Sequence, residues 1–108
     1  MIDVKTADKE LQTYIRPQTF PVAIRMLTPG EAIPEHDETG RDHEELFFVV
    51  DGTPTLVVDG ADHPLRPGSF ARLDPDRVRT VRNDGAAVAK VLIVSAPVSS
   101  GYEPLDWA

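Results

Sequence analysis

The stretch from Glu35 to Glu45 reads Glu-His-Asp-Glu-Thr-Gly-Arg-Asp-His-Glu-Glu and is dense in candidate ligands. Imidazole and carboxylate together suit first-row divalent metals such as Fe, Mn, Ni and Zn. The chain has no cysteine, so thiolate sites and disulfide frameworks are excluded. Other candidate groups have simpler readings. His63 follows a turn and precedes Pro64, where a lone histidine is expected to be exposed and inert. Asp74 and Asp76 flank Pro75 in a turn that favours their local hydrogen bonds, and nothing there signals the burial that acid–base chemistry needs. Arg66, Arg72, Arg77 and Arg82 read as a solvated face. There is no phosphate loop, no Gly-X-Ser-X-Gly elbow and no Cys–His pair.

The elements that must position these groups are short strands. Val22 to Leu27 is an apolar run with β-branched members, ended by Pro29-Gly30, and a short extended piece around Ile33 follows. Gly40 makes part of the 35–45 stretch loop. Glu45 to Val50 reads as a strongly buried strand closed by Asp51-Gly52, and Thr55 to Val58 as another. Asp59-Gly60 is a hairpin signal, because both central positions of a type I′ turn need positive φ. The return strand runs through His63 to Leu65. Phe70 to Leu73 and Val78 to Arg82 follow, and Val88 to Ser95 is the longest apolar strand, expected to be central in a sheet. Asp8 to Ile15 reads either as a short helix with Leu11 and Ile15 on one face or as an extended arm. Tyr102 and Trp107 predict a C-terminal tail docked on its own domain, with a dimer contact as the alternative.

Seven to nine short strands in 108 residues, with ten prolines and seven glycines spread along the chain, predict one all-β domain, a sandwich or a small barrel. The net charge of −7 argues against nucleic acid or an anionic membrane surface as partner. The polar N-terminus lacks the apolar run of a signal peptide, and no stretch is long enough to span a bilayer. The expectation is a soluble, cytoplasmic protein.

Two stretches resemble the paired motifs of the cupin superfamily. In the first, Gly30 is followed by five residues and His36, and Glu45 by six residues and Gly52, both at the family spacing. The middle departs: Glu38 holds the second histidine position, and the longer gap to Glu45 contains His43. In the second, Gly68, Asp74, Asp76, Arg79 and Asn83 keep the spacing, but aspartates and arginine hold the proline, inner glycine and histidine positions. The resemblance covers roughly residues 22 to 96. It is similar to small single-domain bacterial cupins and implies a jelly-roll barrel.

In metal-binding cupins three histidines and a carboxylate meet inside the barrel. Residues i and i+2 of a strand share a face. His43 and Glu45 therefore both point inward if the strand begins near 43, with His36 arriving from the neighbouring segment. That set of two histidines and one carboxylate holds a metal and leaves positions open. The fourth position fails, because Arg79 has no lone pair to give. Three outcomes stay open. Glu45 and Arg79 form an ion pair that closes a degenerate site. One divalent metal (Fe, Mn, Ni or Zn) is bound by His36, His43 and Glu45. Or Arg79, with Glu45, anchors a small anionic molecule in a pocket lined by Phe47, Val49, Phe70 and Val81. The first functional expectation is a ligand-binding barrel without metal. The alternatives are a metal-dependent oxygenase, isomerase or decarboxylase, and a module that pairs as a homodimer through sheet edges.

Overall fold

Seven strands and no helix make up the regular structure of the residues that the computed structural model describes, 2–7 and 15–104. They are β1 (Val22–Leu27), β2 (His43–Asp51), β3 (Thr55–Val58), β4 (Ala61–Pro64), β5 (Phe70–Leu73), β6 (Arg79–Arg82) and β7 (Ala89–Pro97). Asp59 and Gly60 take φ of 49° and 81°, the pair of positive values a type I′ turn requires, and they fold β4 back onto β3 with Val58 opposite Ala61. β2 starts two residues earlier than expected from its apolar run, because β7 extends far enough to pair His43 with Pro97.

The strands form two antiparallel sheets, ordered β1-β7-β2-β5 and β4-β3-β6. β7 is central, as its apolar run predicts. Leu27, Phe47, Leu73 and Val91 from the first sheet meet Leu56, Val58 and Val81 from the second in one buried cluster, with Ile33 between. The jelly-roll expectation holds with one difference: the two ladders do not run on into a closed barrel. The segment that would close them forms no ladder with β6, only the isolated bridges Ala32–Arg82 and His36–Arg79. Pro34 lies between those bridges and has no N–H to give a ladder.

Two motif residues have structural duties. Gly52 has φ of 82°, and a Cβ there would lie 2.7 Å from Ala89 Cα and 2.9 Å from Val88 O, so only glycine lets β2 end against the start of β7. Asn83 is fully buried; its Nδ2 donates to the carbonyls of Leu27 and Ala87, each at 2.8 Å, tying β1, β6 and the approach to β7 together. At the N-terminal end Lys90 Nζ donates to Ala7 O at 3.0 Å. The C-terminal tail is held where Val98 N donates to Asp42 O, while Tyr102 is largely exposed. The helix expected over Asp8–Ile15 falls almost wholly, and Trp107 wholly, outside the described residues. Among the described residues no helix is long and apolar enough to cross a membrane.

Candidate functional site

Alternation sets which side chains face the space between the sheets. On β2 it turns His43, Glu45, Phe47 and Val49 inward; on β6 it turns Arg79 and Val81 inward. Arg79 is 1% exposed. Its Nη2 donates to Asp74 O at 2.7 Å, which fixes one end of the guanidinium. Its Nε lies 3.9 Å from Glu45 Oε1, close enough for charge attraction and too far for a hydrogen bond. Arg79 Nε, Arg79 Nη1 and Glu45 Oε1 are all buried without a hydrogen-bond partner among the described residues. Burial pushes the Glu45 carboxyl above its ordinary value, the charge of Glu38 pushes it the same way, and Arg79 and His36 oppose them.

His36 is held beside Arg79 by a reciprocal backbone pair, His36 N to Arg79 O at 3.0 Å and Arg79 N to His36 O at 2.8 Å. Its Nδ1 lies 2.7 Å from Pro34 O. A carbonyl only accepts, so Nδ1 carries a proton and the ring turns Nε2 toward Glu38. Nε2 lies 3.3 Å from Glu38 Oε1. Two acceptors at that distance need a proton or a metal ion between them. Glu38 is turned in because its N–H donates to Pro75 O at 2.9 Å and Arg41 grips Oε2 through Nε and Nη2 at 3.0 and 2.8 Å. His36, Glu38 and Glu45 each offer a ligand atom, all within 4.8 Å of one another.

His43 shares the inner face of β2 with Glu45, but its Nδ1 pairs with Ser95 Oγ at 3.1 Å, and it stands outside this group. Glu38 takes the place that the sequence reading gives to His43. The signal for it was its location at the second histidine position of the motif.

A cavity of about 290 Å³ opens against these groups, lined by His36, Glu45, Arg79, Phe47 and Val81, and also by Arg25, Arg41, Ile33, Ile93 and Ser95. Two expected lining residues sit elsewhere. Phe70 is 68% exposed, because Ala71 and Leu73 take the inner face of β5; its ring lies against that of Phe48, tilted by 42° with centroids 4.7 Å apart. Val49 faces inward and is fully buried, but it is not part of the cavity wall. Arg25 was hidden in the apolar run of β1; its signal is the same-face series Ala23, Arg25, Leu27.

A family model described as the cupin domain matches residues 23–95. The structure is similar to a cupin protein from Bacteroides fragilis, at 23% identity and a TM-score of 0.76, over 100% of this chain and 92% of that one. It is similar to a predicted oxalate decarboxylase from Thermotoga maritima, at 21% identity and a TM-score of 0.66, over 71% of this chain and 65% of that one. It is also similar to a sugar phosphate isomerase of the cupin superfamily from Silicibacter pomeroyi, at 26% identity and a TM-score of 0.65, over 75% of this chain and 52% of that one. The chain thus spans less than two thirds of the length of each of the last two. No curated protein matches the sequence.

Proposed function

The chain belongs to the cupin domain family, and from that premise we propose that it binds a small organic anion between its two sheets, with Arg79 as the anchor. The observation that carries this reading is a guanidinium, 1% exposed, with two N–H groups unpartnered at the wall of a cavity. A buried donor left open costs roughly 1–3 kcal/mol. A carboxylate or phosphate oxygen that accepts from one of these open N–H groups recovers part of that cost, and a charged acceptor makes the stronger kind of hydrogen bond with arginine. Glu45 does not fill the role, since its nearest oxygen stays at 3.9 Å and burial disfavours its charge. Ile33, Phe47, Val81 and Ile93 provide an apolar wall for the body of the ligand. Proteins of similar fold are named for oxalate and for a sugar phosphate, both anions.

Thermal unfolding of the purified chain against rising succinate tests the reading. A ligand that binds only the native state adds roughly 1.4 kcal/mol at ten times its Kd, so the melting temperature rises with concentration. Arg79→Met is expected to abolish the rise. A wild-type protein whose melting temperature ignores succinate, butyrate and 3-phosphonopropionate alike would remove the proposal.

One observation favours a second reading. Nε2 of His36 and the carboxylates of Glu38 and Glu45 suit a first-row divalent ion, and the orphaned Glu45 Oε1 is the kind of atom an ion satisfies. When bound there, the ion would polarise an oxygen of the substrate as a Lewis acid. Arg79 Nε, 3.9 Å from Glu45 Oε1, opposes a second positive charge at that spot, which is why this reading stands second. Elemental analysis after growth in metal-supplemented medium separates the two: about one ion per chain, lost in Glu38→Gln, selects the metal.

A further inference from the structure

Resting on the anion reading, we infer that the ligand is a short dianion, held at one end by Arg79 and at the other by Arg25. The two arginines reach the same cavity from different sheets, Arg25 from β1 and Arg79 from β6. Arg25 Nε is buried and, like two nitrogens of Arg79, has no hydrogen-bond partner among the described residues. Its charge is felt by Glu31, whose carboxyl it helps to lower, but Glu31 spends its own Oε1 on Thr28 N at 2.7 Å.

The local charge count points the same way. The whole chain carries −7, yet the cavity wall presents Arg25, Arg41 and Arg79 against a single acid, Glu45. Arg41 is already committed to Glu38 at 2.8 Å. Arg25 and Arg79 therefore face the cavity with the carboxyl of Glu45 as the one acid in its wall. A ligand with a negative group at each end gives each guanidinium a partner; a ligand with one leaves the half-buried Arg25 without one in the cavity.

The strand register gives the body of this ligand. Glu45 pairs with Ser95; the next inward level along the sheet holds Phe47, Ile93 and Ala23; the level after that holds Val49, Val91 and Arg25. An apolar level thus separates the one faced by Arg79 from the one that carries Arg25. The outer two levels are roughly 13 Å apart at the backbone, four residues of strand, and both arginine side chains are long enough to reach back toward the middle. A free inorganic anion would leave the apolar level uncovered. About 290 Å³ corresponds to roughly ten waters, so the spacer is a few carbons.

Isothermal titration of the wild-type protein with succinate, 3-phosphonopropionate and butyrate tests this directly. A second charge-assisted contact makes each dianion bind about ten- to a hundredfold tighter than butyrate. The tighter of the two dianions identifies the acid, carboxylate or phosphonate, that the site prefers. In Arg25→Gln the advantage of succinate over butyrate is expected to collapse to a few-fold. Equal affinity of wild type for succinate and butyrate, both lost in Arg79→Met, would overturn the dianion while leaving the anion reading in place. A preference for succinate that survives Arg25→Gln would overturn the role of Arg25. Failure of wild type to bind any of the three overturns both proposals, and the wild-type comparison holds even if a variant folds poorly.

Discussion

The arginines on the surface of this domain and the arginine inside it are treated in opposite ways. Arg82 donates Nε to both oxygens of Asp84 at 2.8 Å and Nη2 to Asp62 at 2.9 Å, and Arg72 reaches Glu44 at 2.9 Å and Asp74 at 2.8 Å. Water would satisfy these groups anyway, yet each has a carboxylate at bonding distance. Arg79, where water is excluded, stands 3.9 Å from Glu45 and leaves two nitrogens open. A fold arranged for stability alone would put its best geometry inside, because an unmet donor costs most there. On the reading proposed above, the interior pair stands apart because an anion enters beside it.

The largest effect comes from deleting the interior pair. Replacing a buried ion pair by apolar side chains of similar size is often neutral or stabilising by about 1–4 kcal/mol. With its contact already long and its donors open, Arg79→Met/Glu45→Leu is expected to unfold at equal or higher urea concentration than wild type. The same variant should lose succinate binding, by about ten- to a hundredfold or more. If the double variant were several kcal/mol less stable, the interior pair would be a structural bond like those outside, and the contrast would fail.

Much of this arrangement is legible in the sequence because it depends on local rules. The bounds of β1, β3 and β5, and the Asp59-Gly60 turn, follow from apolar runs and turn chemistry over a few residues. The facing of Glu45 and Arg79 follows from strand parity once the two motifs are aligned on one barrel. What escapes depends on distant partners. Parity puts His43 inside, but only the folded chain brings Ser95, 52 residues away, to occupy its ring. Glu38 lies in a loop, where no period says which way a side chain turns; Pro75 and Arg41 decide it. Hydrophobicity alone places Phe70 in the pocket, but the parity of Leu73 on the same strand sends it outward.

The middle effect sharpens the comparison through pH. The Glu45 carboxyl is raised above its ordinary value of 4.5, first by burial and then by Glu38, against the pull of Arg79, His36 and Arg41. A group raised in the folded state holds more protons there than in the unfolded chain. Stability that it contributes is therefore present below pH 4.5 and is lost as pH rises through the folded value. Glu45→Gln removes the titration. Melting temperatures of the two proteins measured from pH 4.5 to 8 should diverge steadily in favour of the variant and then run parallel. A wild type that gains on Glu45→Gln as pH rises would mean that Arg79 binds the carboxylate as firmly as the surface arginines bind theirs.

The smallest effect belongs to the surface. Arg82 and its two aspartates are exposed, and such pairs return little because long side chains must be ordered and salt screens the attraction. Arg82→Ala should lower the melting temperature only slightly. The loss should vanish in 1 M NaCl, where the Debye length is about 3 Å. The Arg79→Met/Glu45→Leu difference should persist in that salt, since ions do not enter the cavity wall where Arg79 lies 1% exposed. Salt therefore separates the two classes without reference to any ligand. A response of Arg79→Met/Glu45→Leu to salt as large as that of Arg82→Ala would mean that solvent reaches the interior guanidinium, and its open donors would then be satisfied by water and not reserved for an anion.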